Sequence, residues 1–149
     1  MMFGAAGAYL SLFGAAFLAA TIFPAQSELL LAYLLRSQEY SWGLLLTVAT
    51  IGNVLGSVIN WLLGRWIEHF RHRRWFPVSD AALERAERWY GRWGKWSLLL
   101  SWAPIFGDAL TVIAGMLRVR FSTFVSLVLI AKAARYAAIA LAVAGTLRN

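Results

Sequence analysis

The chain alternates between long apolar runs and short polar breaks. Residues 3–22 carry no charge, and about 20 apolar residues suffice for a helix to cross a hydrocarbon core. Pro24 interrupts this run, because proline lacks an N–H and biases the residue before it away from helical angles. The apolar arm Ala25–Leu35 follows. At 1.5 Å per residue it reaches about 16 Å, half of a core of about 30 Å. Residues 4–36 therefore predict a helical hairpin whose second arm is re-entrant. After the polar turn Arg36–Tyr40, the stretch Trp42–Gly64 is unbroken by any charge and predicts a transmembrane helix over 42–66. Trp96–Leu117 predicts a second hairpin, with two arms of about ten residues each, too short to span. Arg118 and Arg120 close it. Phe121–Leu147 predicts a last transmembrane helix, with Lys132, Arg135 and Tyr136 near its middle.

The polar segment 65–95 holds eight Arg or Lys against four Asp or Glu, which places it in the cytoplasm by the positive-inside rule. Within it, Ser79 and Asp80 offer an N-cap for a helix running to about Trp93. Arg85, Arg88, Arg92 and Lys95 fall on one face, and Ala82, Ala86, Trp89, Trp93 and Trp96 on another. That is the pattern of an interfacial amphipathic helix. Parity then sets both ends of the chain and the Arg36–Tyr40 turn outside, and Arg118 and Arg120 inside. The two halves, each a hairpin plus a crossing helix, insert in opposite senses. An inverted repeat of this kind is common among membrane transporters.

Composition narrows the class. The 149 residues hold 60% hydrophobic and 14% charged residues, eight Trp and no Cys, with a mean hydropathy of +0.63. One membrane domain accommodates this, an ordinary soluble domain does not, and disulfide or thiol chemistry is excluded. The net charge of +7 is explained by anionic lipid headgroups rather than nucleic acid, since the basic residues flank membrane segments. The first residues lack the positive n-region of a secretory signal, so the first apolar run is expected to be retained.

The candidate chemistry lies in two matched breaks. Pro24-x-x-x-Glu28 and Pro104-x-x-x-Asp108 share one spacing, and each sits between apolar arms, which points to a duplicated unit. A carboxylate within a membrane costs about 2.5–3.5 kcal/mol even on insertion scales, so it marks function by default. Each acid falls near the start of its second arm, where capping the helix would also account for it. Lys132 and Arg135 are counter-charges for the acids, and an acid–base set of this kind can exchange a proton or a charged ligand. Asn53 and Asn60, seven apart beside Gly52-x-x-x-Gly56, serve either as helix–helix contacts or along a substrate path. The glycines also leave room for a second copy of the chain. Two histidines, His69 and His72, without cysteine do not make a metal set, no cofactor is implied, and no nucleophile–base pairing points to an enzyme.

The chain resembles the DedA family, of the VTT or SNARE-associated Golgi protein superfamily, and most closely its short bacterial YqaA-like branch. Nearly the whole chain carries the resemblance: Pro24-x-x-x-Glu28, Gly52-Asn53-x-x-Gly56 leading to Gly64-Arg65, Leu100-Ser101-Trp102-x-Pro104-x-x-Gly107-Asp108, Ala114-Gly115-Met116 and Lys132-Ala133-x-Arg135-Tyr136. It implies two re-entrant hairpins facing each other in the bacterial inner membrane. It also implies proton-coupled movement of lipids, such as polyprenyl phosphates or phospholipids, between leaflets. In typical members arginines flank the second proline, as Arg-x-x-Pro-x-x-Arg. Here those positions are Ser101 and Gly107, so Lys132, Arg135 or Arg65 must hold a phosphate, or the ligand differs. The expectation is an all-α integral membrane protein that moves an anionic lipid through Glu28, Asp108, Lys132, Arg135, Pro24, Pro104, Asn53, Arg65 and Tyr136. A small-solute or proton antiporter, or an assembly protein without transport, is the alternative.

Overall fold

A computed structural model describes residues 4–20, 24–66, 79–102 and 106–149. Pro104, His69, His72 and most of the basic stretch before Ser79 lie outside the described residues. The described chain is helical, with no strand: α1 (Ala5–Ala19), α2 (Pro24–Ser37), α3 (Trp42–Arg65), α4 (Asp80–Trp93), a 3-10 segment (Gly94–Trp102), α5 (Phe106–Met116) and α6 (Phe121–Arg148).

Local chemistry explains most of the boundaries. Pro24 opens α2 at its first position, where its missing N–H costs no helical bond. Ser41 and Ser79 cap α3 and α4, accepting from the backbone N–H of Leu44 and Ala82. The run 3–22 is expected to span, but α1 is only 15 residues long, about 22 Å. Its last turn meets α3, where Asn60 Nδ2 donates to Ala20 O at 2.7 Å, satisfying a carbonyl that a helix end leaves free. Asn60 is thus a contact between helices. The first arm of the second hairpin is a 3-10 segment of nine residues, an unusual length for that helix type.

α3 and α6 are long and apolar enough to cross a membrane, at 24 and 28 residues. Leu10, Leu29, Tyr33 and Leu141 are each about seven-tenths exposed, an apolar surface suited to lipid rather than water. α3 is the hub, touching α1, α2, α5 and α6. Gly52 and Gly56 lie against the backbone of α1 at Phe13 and Phe17, while Gly64 and Gly115 bring α3 and α5 into backbone contact at Val112 and Trp61. Small residues permit that approach. Gly52, Gly56, Gly64 and Gly115 are occupied by contacts within the chain.

The offset that relates Glu28 to Asp108 reaches the backbone. Gln38 and Arg118, both at φ 57°, are the two non-glycine residues with positive φ among those described. Each follows a short helix, and their N–H groups donate to Leu35 O and Gly115 O, so residue and acceptor both keep that offset. A left-handed residue is a usual way to end a helix. Contacts follow the same pattern: α1 packs on α3 as the 3-10 segment packs on α6, and α5 packs on α3 as α2 packs on α6.

The helix from Asp80 to Trp93 forms where expected, but its buried residues are Leu83 and Ala86, set against Ala109, Leu110 and Ile113 of α5. Trp89, Trp93 and Trp96 stay 41–61% exposed. The cations do not keep to a separate face: Arg92 lies over the Trp93 ring and Lys95 over Trp96.

Candidate functional site

Lys132, Arg135 and Tyr136 share one face of α6, being three and four positions apart. α2 and α3 meet that face. Arg135 donates through Nη2 to Glu28 Oε1 of α2. One position earlier on α2, the buried Ser27 hydroxyl exchanges a hydrogen bond with Tyr136 OH at 3.0 Å. From α3, Asn53 Nδ2 donates to the same Tyr136 oxygen at 3.0 Å. Tyr136 is fully buried, and a buried phenol is tolerated because its hydroxyl is bonded on two sides. The second acid comes from α5: Lys132 Nζ stands 3.7 Å from Asp108 Oδ1.

The fold thus gives each membrane acid its own cation, and both cations come from α6. Burial differs between the pairs. Lys132 is 1% exposed and Asp108 13%, whereas Arg135 is 9% exposed and Glu28 35%. A desolvated ion pair holds its charge only because its partner is present. Glu28 is the open edge of the cluster and Lys132 its floor. Charges balance, two against two, so protonating one acid or presenting an outside anion frees a cation. A guanidinium offers a planar fork suited to phosphate or carboxylate.

The two acids are not equivalent. Asp108 falls in the first turn of α5, where the helix dipole favours a negative charge. Glu28 is the fifth residue of α2, beyond its first turn, so capping does not account for it.

The structure brings Glu28, Asp108, Lys132, Arg135, Tyr136 and Asn53 to one face of α6. Arg65 stands apart. It is exposed at the end of α3, its guanidinium 4.9 Å from the centroid of the Trp61 ring. From Asn53 to Arg65 the helix rises about 18 Å. Pro24 begins α2, and Pro104 lies outside the described residues. Ser27 is a part of the cluster that sequence reasoning leaves out. Its signal was its place beside Glu28, as Tyr136 stands beside Arg135. Among the described residues, the buried Asn53 Oδ1, Asn60 Oδ1 and Ser101 Oγ have no hydrogen-bond partner. No three His, Cys, Asp or Glu gather there as a metal set.

The VTT domain profile matches residues 1–145. The chain is 41% identical over 133 residues to the inner membrane protein YqaA of Escherichia coli, covering 89% of this chain and 88% of that one. It is 33% identical over 135 residues to an uncharacterized protein of Haemophilus influenzae, covering 86% and 82%. A more distant similarity, 28% over 94 residues, links it to undecaprenyl phosphate transporter A of Staphylococcus aureus, covering 58% of this chain and 46% of that protein. No solved structure matches significantly.

Proposed function

The chain belongs to the VTT domain family, the DedA proteins, and from that premise we propose that it moves an anionic lipid between the leaflets of the bacterial inner membrane. The observation that carries this is the double ion pair on α6, Glu28 with Arg135 and Asp108 with Lys132. A lipid with a phosphate head needs a cation at the depth where its charge is least welcome. Here two cations are held ready and neutralised until needed. Arg135 is the ligand-exchanging group, because its partner Glu28 is the more exposed acid. Lys132 and Asp108 remain the buried counterpart. Arrival of a phosphate in place of the Glu28 carboxylate would engage Arg135, and exchange of a proton at the acid–base cluster would link transport to the proton gradient. The distant relative named as an undecaprenyl phosphate transporter supports a phosphate-headed ligand.

The architecture proposed with this is an inverted repeat. The short helices α2 and α5 end re-entrant hairpins, α3 and α6 cross, and residues 65–95 lie in the cytoplasm. The common offset in the acids, in the left-handed residues and in helix packing supports duplication. Opposite insertion follows from parity and from the basic bias of 65–95. On this proposal the protein is a carrier, not an enzyme.

The test is leaflet-to-leaflet movement of labelled polyprenyl phosphate and phospholipid in proteoliposomes, with Glu28→Gln and Asp108→Asn compared at matched insertion. Movement that is present in the unaltered chain and lost in both variants is expected. Folded protein that moves neither lipid, but passes ions, would replace the lipid path with an antiporter.

A further inference from the structure

Away from the ion pairs, a cavity of about 320 Å³ opens where the 3-10 segment meets the start of α6, lined by Lys95, Trp96, Ser122, Thr123, Ser126 and Leu127. Its composition is graded. Leu127 is 9% exposed and forms the apolar wall, joined to the cluster of Trp61, Leu98 and Phe124. Ser126 turns its hydroxyl back to Ser122 O at 2.7 Å. The Ser122 and Thr123 hydroxyls have no hydrogen-bond partner among the described residues and remain available. At the rim, Lys95 Nζ is 5.5 Å from the centroid of the exposed Trp96 ring. A cation, free hydroxyls and an indole beside an apolar wall recognise a phosphodiester with hydrocarbon attached to it.

The sequence that forms the cavity is basic. No acid occurs between Glu87 and Asp108, and none follows Asp108. Arg118 and Arg120 lead directly into Ser122, and Arg65 is held at the same end of the bundle through Trp61, whose Nε1 donates to Val119 O. Trp96 lines the cavity, and Trp89 and Trp93 are exposed on the preceding helix; aromatic rings of this kind settle at the headgroup level of a bilayer. The cavity therefore lies where a leaflet surface meets the protein, and its complement is negative.

We infer that this groove is a resident site for the headgroup of an anionic phospholipid, with Lys95 on the phosphate and the Ser122 and Thr123 hydroxyls on its oxygens. It is separate from the ion pairs on α6 and does not depend on transport. The lipid fastens the 3-10 segment to the first turns of α6 and holds the protein at a fixed depth.

Native mass spectrometry of the full chain in detergent tests it, with palmitoyl-oleoyl phosphatidylglycerol and phosphatidylcholine offered in equal amounts. The first lipid retained should favour phosphatidylglycerol by about fivefold, the ratio expected of one surface lysine near a phosphate. Lys95→Gln should bring the ratio to about one, with unchanged helix content by circular dichroism, and Lys95→Arg should restore it. Glu28→Gln should leave it unchanged even if that variant no longer transports. Equal retention of the two lipids by the unaltered chain would overturn the site, as would a preference that survives Lys95→Gln. A preference lost in Glu28→Gln would move the lipid to the ion pairs of Lys132 and Arg135 and overturn it equally.

Discussion

A lysine that is 1% exposed in an apolar helix survives because Asp108 faces it. Taking that carboxylate away strands the ammonium, a loss of about 3–5 kcal/mol for a buried pair. Asp108→Asn should therefore lower the melting temperature in detergent markedly. Asp108→Leu combined with Lys132→Met should recover most of that loss, since well-packed apolar residues replace a buried pair at little or no cost. Stability would return in the double variant while lipid movement would not, which separates the pair's two roles. Glu28→Gln should cost less, because Glu28 is 35% exposed and water screens it. Tyr136→Phe leaves Ser27 and Asn53 without their shared partner, at about 1–3 kcal/mol by thermal unfolding.

At the scale of elements, glycine sets how closely helices cross. A Cβ at Gly56 would meet Ala20 Cβ at 2.6 Å and crowd Phe17 O, and one at Gly115 would strike the backbone of Trp61. Overpacking a tight contact costs about 1–3 kcal/mol when the neighbours can shift, and backbone shifts less readily than side chains. Gly56→Ala and Gly115→Ala should both lower the melting temperature, and Gly115→Ala should do so more. Gly91 offers the control. It lies inside α4 with nothing within 4 Å of its would-be Cβ, so Gly91→Ala should stabilise by about 0.5–1 kcal/mol. The same comparison explains how the halves differ. Where α5 crosses α3 the contact is two glycines, whereas α2 meets α6 through Ser27, Glu28 and Arg36.

Across the whole molecule, positions related by the common offset do not carry the same chemistry. At the offset that pairs Glu28 with Asp108, the counterparts of Lys132 and Arg135 on α3 are Gly52 and Leu55. So α6 supplies both cations and α3 supplies close packing. One long helix binds charge and the other acts as the frame. A crossing α3 separates the turn after α2 from α4, and the absence of cysteine makes this simple to test. Glu39→Cys should react with a membrane-impermeant maleimide on intact cells, and Arg85→Cys only after permeabilisation. Reaction of both from outside would mean that α3 does not cross.

Features that depend on neighbours in the chain were legible before any fold was known. The uncharged run Trp42–Gly64 is a matter of length, the Ser79 cap of adjacency, and the matched acids of spacing. The family could be read in the same way, because its motifs are local strings. Partners were not legible. Glu28 finds Arg135 across 107 positions and Asn53 finds Tyr136 across 83, and nothing local says which cation answers which acid. Arg65 carried the same charge as Arg135 and was an equal candidate until packing set its guanidinium on Trp61. Leu83 looked like one more apolar residue until α5 covered it. Charge, length and turn chemistry act between residues near in sequence, so the sequence alone determined the two long helices and the presence of two acids between them and their neighbours. Desolvation and pairing act between residues near in space, so only the tertiary structure decided that α6 holds both counter-charges and that Glu28 is the acid left within reach of water or ligand.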